Sequence, residues 1–520
     1  MRTLTTAFTL FLVAVAASAA SPGWQEALDQ LLSASPDAQE ALLARIERSG
    51  PAWTDVVTRI QAAGFPDVSE KGTPVLRTTV CRDGVERPWV VVAPAGYDPT
   101  VPTPLLVILH GGVSRPTIEE DPLASVREDE LGALARDRGW LALHPFGQAG
   151  ATWWDEVGMA NVSNLVRTVK REYNVDDDRV WMAGFSDGAS AAFLHAMGAP
   201  SDYAAFVALN GHMGVGSLDG NLPLYATNLA NTPLYAVTTF NDQLYPSERM
   251  RPSIVMAREA GGDILYRELD GKHEFSYADD ELPRVGRFLE RHPRDPLPSR
   301  IVWEAAGPEF GRCRWFAIDR VTTGEPEPWH IDHNVAMVDE SVAIGFQPDD
   351  AFDGKGVKVA SLAEGEYPAA AMGIEPGDVI VAAGGKTIDT MDDLGAFKAG
   401  MKRGDPFDLT VLRGEERLVL KGKIPEPTNY LVFKRDAPSG LARSSFAANS
   451  IDVETSRVGA FRVFVHPDMV RLDRNLVIRA NGTTVFDARV APDLDFLLRN
   501  FLKNRDRALL YVAEVRIPLE

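Results

Sequence analysis

The stretch Asp176–Ser190, DDDRVWMAGFSDGAS, most constrains what this chain can become. An acidic turn leads into a short apolar run, Val180–Ala183, which reads as a buried strand. Gly184-Phe185-Ser186-Asp187-Gly188 breaks it, and a helix of small residues (Ala189, Ala191, Ala192) and Leu194 follows. In a GxSxG pattern the strand must turn at once into the helix. A Cβ at either glycine would collide with neighbouring backbone, and Ser186 sits strained at the apex with its hydroxyl exposed.

Strands and helices alternate around this turn. Val75–Cys81 and Arg87–Ala95, joined by Asp83-Gly84, read as an edge hairpin. Pro104–Leu109 is an uninterrupted apolar run, the mark of a strand covered on both faces, and it ends in His110-Gly111-Gly112-Val113. Further strands are expected at Trp140–His144, Phe206–Leu209, Pro233–Thr239 and Ile264–Leu269, with helices at Leu131–Arg138, Val162–Tyr173 and Glu281–His292. This is an α/β pattern, complete by about residue 293.

A serine hydroxyl is a weak nucleophile until a base takes its proton, and that base needs an acid to orient it. Asp242 follows the strand ending at Thr239, and His273 follows the strand ending at Leu269. The order Ser186, Asp242, His273 places each group at the C-terminal end of a strand, where open α/β sheets build their sites. The oxyanion donors expected from this arrangement are the N–H of Asp187 and that of Gly112 or Val113. Asp187 also places a carboxylate where anionic acyl groups would be disfavoured. His110 is expected to orient its loop, and Trp153 and Trp154 either line a cleft or pack in the core.

From about residue 75 to 293, these motifs together with Tyr173–Asp176 and Asn231–Tyr235 resemble the α/β-hydrolase family. The similarity lies within the secreted group of feruloyl esterases, polyhydroxyalkanoate depolymerases and prolyl-oligopeptidase-like enzymes. The resemblance implies a sheet with helices on both faces and a serine hydrolase cleaving a small or polymer-linked ester, or alternatively a peptide bond. No cofactor and no metal are called for. A non-catalytic binding scaffold is the competing reading.

Beyond a proline-rich linker at 292–300 the periodicity drops to two, as in a β-sandwich. Strands are expected at Arg300–Trp303, Arg312–Val321, Phe461–His466, Asn475–Asn481, Thr484–Val490 and Leu509–Ile517. An insert separates the two halves. Within it Tyr367-Pro368-Ala369-Ala370-Ala371-Met372-Gly373-Ile374-Glu375-Pro376-Gly377-Asp378-Val379-Ile380 and a helix near Asp392-Asp393 resemble a PDZ domain of the bacterial secreted-protease type. That resemblance implies an extended peptide added as a strand, its C-terminal carboxylate held near Ile344-Gly345-Phe346. A rigid spacer is the plainer alternative.

The expected divisions are a signal peptide (1–20), a helical segment (21–70), the α/β-hydrolase domain (71–293), and a β-rich domain in two parts (294–340 and 426–520) around the PDZ domain (341–425). Arg2, the apolar run Ala7–Ala17 and Ala17-Ser18-Ala19 read as a leader for secretion or the periplasm. The helical segment is expected to pack on the domain after it. A net charge of −20 argues against nucleic acid and anionic lipid, and no later segment reads as a membrane span. Two cysteines, Cys81 and Cys313, are too few for a disulfide framework, and either one bridge or two thiols fits. His330 and His333 have a spacing a metal would accept, with no third or fourth ligand in view.

Overall fold

The computed structural model describes residues 23–117, 121–349, 351–363, 365 and 367–519. The expected leader, residues 1–20, lies outside the described residues. The described residues form two compact units, one running up to Asn334 and resuming at Phe433, the other Val335–Val432.

The first unit begins with α1 (Gly23–Ser33), α2 (Pro36–Ser49) and α3 (Trp53–Gln61). Trp24, Leu28, Leu31, Ile46, Val56 and Ile60 are buried, but not against the sheet that follows in sequence. They share one core with Leu497, Leu498, Phe501, Leu510 and Val512, far along the chain. This corrects the expectation that the helical segment packs on its sequence neighbour. An amphipathic stripe shows that a face is buried and carries no record of what covers it.

The α/β part follows in the order β1 (Pro74–Val80), β2 (Glu86–Val92), β3 (Thr103–Leu109), α4 (Pro122–Glu128), α5 (Glu130–Asp137), β4 (Leu141–Pro145), α6 (Glu156–Glu172) and β5 (Val175–Phe185). It continues through α7 (Asp187–Gly198), β6 (Ala205–Leu209), α8 (Val215–Leu218), β7 (Leu234–Thr239), α9 (Ser247–Glu259), β8 (Ile264–Leu269) and α10 (Ala278–Arg291). The strands lie side by side as β1-β2-β4-β3-β5-β6-β7-β8. β1 and β2 run antiparallel at one edge, and β4 through β8 are parallel. Leu106 and Ile108 of β3 pack with residues of α5 and α10, while Leu105, Val107 and Leu109 on the other face are equally buried. The unbroken apolar run is thus explained by helices on both sides of the sheet. The architecture is that of an α/β-hydrolase, and it sets the ends of β3, β5, β6, β7 and β8 along one edge.

The rest of this unit is β-rich, and the PDZ-like unit interrupts it. β9 (Arg300–Ala305), β10 (Arg312–Cys313) and β11 (Phe316–Val321) come before the interruption. Inside it are β12 (Ala336–Asp339), β13 (Phe346–Pro348), β14 (Val357–Leu362), α11 (Pro368–Met372), β15 (Val379–Ala383), β16 (Lys386–Thr387), α12 (Met391–Ala399), β17 (Pro406–Arg413), β18 (Glu416–Lys423) and β19 (Thr428–Leu431). After it come β20 (Gly440–Ala447), β21 (Ser450–Ser456), β22 (Val458–Val465), β23 (Leu476–Ala480), β24 (Thr483–Ala488), α13 (Leu494–Asn504) and β25 (Ala513–Pro518). Two sheets, β10-β11-β22-β25 and β24-β23-β21-β20-β9, enclose one core around Trp303, Trp315, Phe316 and Phe461. The stretch expected as a strand from Leu509 starts only at Ala513. Leu510 and Val512 serve the helical core instead.

Candidate active site

Ser186 stands at the end of β5 with φ 56 and ψ −119, a backbone that only a forced turn imposes on a serine. The packing that forces it is tight. A Cβ on Gly184 would lie 2.3 Å from the carbonyl carbon of Gly188, and one on Gly188 would lie 1.8 Å from the Leu109 oxygen. The Ser186 N–H donates to Leu209 O on β6 at 2.9 Å, so the turn is anchored on the neighbouring strand.

Asp242 and His273, from the loops after β7 and β8, meet at this serine. His273 Nε2 lies 2.8 Å from Ser186 Oγ, and its Nδ1 lies 2.8 Å from Asp242 Oδ2. With Nδ1–H donated to the carboxylate, the Nε2 lone pair faces the hydroxyl. The Asp242 side chain is buried and fully engaged. Oδ1 accepts the Leu244 and Tyr245 N–H groups at 2.7 and 2.8 Å, and Oδ2 also accepts Asn210 Nδ2 at 2.7 Å. Burial pushes its pKa up, but the bonds from His273, Tyr245, Asn210 and Leu244 outweigh burial and hold the carboxyl below its usual range.

Asn210, not among the residues expected at the site, joins this cluster through its bond to Asp242. It follows β6 with φ 53, its Nδ2 also reaches Thr239 Oγ1 at 2.7 Å, and Tyr277 OH donates to its Oδ1 at 2.5 Å. In the sequence its trace is the Asn210-Gly211 pair directly after the apolar run Phe206–Leu209, and asparagine is among the residues that tolerate a positive φ.

The loop after β3 passes beside the serine, so that a Cβ on Gly111 would come within 2.9 Å of Ser186 Cβ. His110 secures its base, accepting Gly147 N–H on Nε2 at 2.9 Å, while Trp153 Nε1 donates to His110 O at 2.9 Å. The Val113 N–H donates to Asp187 Oδ2 at 2.9 Å. Val113 is therefore corrected as an oxyanion donor, because its hydrogen is already spent on a carboxylate. Of the amides expected as oxyanion donors, those of Gly112 and Asp187 are not engaged by this bond.

In the second unit the sheet runs β13-β14-β15-β17-β18. β13 is an edge strand that begins just after Gly345, whose φ is 94. The start of α12 is closed by a capping box between Thr390 and Asp393. Residues 342–424 match the PDZ domain family. The Ile344-Gly345-Phe346 turn thus enters an open edge of the PDZ sheet.

A bifunctional acetylxylan esterase/xylanase of Neocallimastix patriciarum, XynS20E, is 33% identical over 117 residues. That stretch is 22% of this chain and spans only 16% of the relative's length. Among solved structures, a thermostable esterase aligns at 20% identity and TM-score 0.35, covering 42% of this chain and 63% of its own. A ferulic acid esterase aligns at 16% identity and TM-score 0.36, covering 43% and 99%.

Other sequence candidates have structural employment. Trp153 and Trp154 are buried packing residues. His212 is buried, its Nδ1 accepts Gly214 N–H at 2.9 Å, and burial together with the charge of Arg249 lowers its pKa to about 4. His330 lies between Glu304 Oε1, 3.1 Å from Nε2, and Ser456 Oγ, 2.9 Å from Nδ1. Among the described residues no cluster of His, Cys, Asp and Glu is arranged to hold a metal, and no helix is long and apolar enough to cross a membrane. Cys81 and Cys313 are separate thiols, the latter buried.

Proposed function

We propose that this protein is an exported serine hydrolase that cleaves carboxylic esters through an acyl-enzyme. The observation that carries the reading is the continuous line of 2.8 Å contacts from Ser186 Oγ through His273 to Asp242, set at a strained strand end. In this mechanism Ser186 Oγ attacks the ester carbonyl while its proton passes to His273 Nε2. Asp242, ionised and buried, stabilises the resulting imidazolium and keeps Nε2 aimed at the serine. The carbonyl oxygen takes the negative charge and is met by the N–H groups of Gly112 and Asp187. His273 then protonates the departing alcohol, and water, deprotonated by the same imidazole, releases the acid.

An ester substrate, small or attached to a polymer, is supported by the local similarity to an acetylxylan esterase/xylanase. Export is supported by the charge and apolar pattern of residues 1–20. For the PDZ domain the proposal is capture of a peptide C-terminus, added beside β13 with its carboxylate on the amides of the Ile344–Phe346 turn.

Ser186→Ala is expected to lower turnover of an activated aryl acetate by roughly 10⁶-fold without changing the circular dichroism spectrum. A fluorophosphonate should label the native protein and leave the variant unlabelled. Turnover surviving in the variant would eliminate the mechanism. Aryl acetates, feruloyl esters and peptide amides assayed side by side decide between esterase and peptidase.

A further inference from the structure

The residue after the nucleophile contributes its backbone N–H whatever its side chain is, yet here the side chain has a task as well. Asp187 Oδ2 reaches across 74 residues of sequence to accept the Val113 N–H at 2.9 Å. This bond ties the first turn of α7 to the loop carrying the second oxyanion donor. The other ends of that loop are held independently, through His110 at its base and through the Ala149 N–H donating to Arg115 O at 2.8 Å. The Val113 side chain is buried, and a Cβ on Gly147 would lie 2.9 Å from its Cγ1, so the loop is also closed from behind.

Between these anchors stands Gly112, with φ 72. Glycine moves through this region at little cost, so its own backbone does little to fix where its N–H points. The peptide joining Gly112 to Val113 is planar, so the bond to the Val113 N–H fixes that plane on the C-terminal side of Gly112. On the other side Gly111 is packed against Ser186 and the His110 carbonyl is held by Trp153, so with both flanking peptides pinned the Gly112 N–H has little freedom left to turn. The carboxylate sits at the N-terminus of α7, where the helix dipole and the donated N–H both offset its charge.

We propose that the Asp187 carboxylate is a positioning residue that locks the oxyanion loop to the nucleophile's own helix. It preorganises the Gly112 N–H, and by occupying the Val113 N–H it limits the hole to two donors, Gly112 and Asp187. This inference rests on the reading of Ser186 as the nucleophile.

The test compares Asp187→Ala, Asp187→Asn and Asp187→Glu with the native protein, using an aryl acetate and a trifluoromethyl ketone. Ser186 Oγ adds to the ketone carbon, its proton moves to His273 Nε2, and the ketone oxygen becomes an oxyanion in the hole. Asparagine retains an oxygen that can accept the Val113 N–H, glutamate keeps the charge but displaces the acceptor, and alanine loses both. Asp187→Ala and Asp187→Glu are expected to lower kcat by about tenfold or more with KM little changed, and to weaken the ketone by a similar factor. Asp187→Asn should recover most of both losses.

If the alanine variant does not fold, the asparagine and glutamate pair decides the matter. Equal activity of glutamate and native proteins, or an asparagine variant as impaired as glutamate, would overturn the proposal. Turnover persisting in Ser186→Ala would overturn the nucleophile reading and this one with it. Loss of turnover there, with Asp187→Glu at native kcat, would overturn this one alone.

Discussion

Asn210 holds its backbone at φ 53 so that its amide can reach a buried carboxylate. A hydrogen bond to a charged group contributes about 1.5–3 kcal/mol, and the desolvation already spent on Asp242 makes each donor to it matter. Asn210→Gly removes the amide while leaving a residue at ease in the left-handed region. It is expected to lower kcat for an aryl acetate by roughly tenfold, with KM little altered and native circular dichroism. An unchanged kcat would show that His273 and the two loop amides suffice to orient Asp242. The sequence carried Ser186, Asp242 and His273 legibly because each follows a recognisable strand end. Asn210 was hidden because a polar residue there looks like an ordinary turn, and the loss of Val113 as a donor depends on a carboxylate far away in sequence.

Helix α7 is buried on nearly every face, and His195 in its last turn is 1% exposed. Among the described residues its Nε2 has no hydrogen-bond partner, and burial lowers its pKa to about 4. The folded protein therefore resists protonating His195, while the unfolded chain accepts the proton near pH 6.5. Stability from this group is full above about pH 6.5 and is lost as pH falls through 4, by an amount on the order of 3 kcal/mol. His144 and His212, with pKa values lowered by burial to about 3 and about 4, act in the same direction. Asp129, whose carboxyl pKa is pushed up by burial to about 7, acts in the opposite direction over the same range, so the effect of His195 is read as a difference. Between pH 7 and pH 4 the urea midpoint of His195→Leu should gain on that of the native protein. An identical slope in the variant would show that His195 is protonated without penalty.

At this scale the α/β elements were readable because apolar runs and Gly or Pro boundaries mark them. The β20–β21 hairpin was not, since its two-residue loop is Ala448-Asn449, with φ 45 and 67, in place of a glycine-bearing turn. The Asn481-Gly482 hairpin beside it carries that signal openly.

Across the whole molecule the chain ends are knit together while one stretch remains separable. The N-terminal helices are completed by α13 and by Leu510 and Val512, a pairing no local pattern announces. Arg294, buried at the linker, pairs with Asp506 at 2.6 Å and Asp178 at 2.9 Å, tying the region after α13 to β5. The 335–432 unit is attached differently. Asn334 Nδ2 donates to Phe433 O at 2.7 Å, and the Phe433 N–H donates back to Asn334 Oδ1 at 3.1 Å, so the chain leaves and returns at one point. One residue further on, the Val432 N–H donates to Val335 O at 3.0 Å, already in antiparallel register.

An Asn-Gly pair closes an antiparallel ladder with little strain. Replacing residues 336–431 by Asn-Gly should therefore leave a folded protein whose kcat on an aryl acetate stays within about threefold of native, since insertions at such points are dispensable to the host. Retention on an immobilised C-terminal peptide, measured before and after the replacement, should disappear together with the excised PDZ domain. A loss of turnover of about a hundredfold in a variant with native circular dichroism would show instead that the inserted unit helps to build the hydrolytic site.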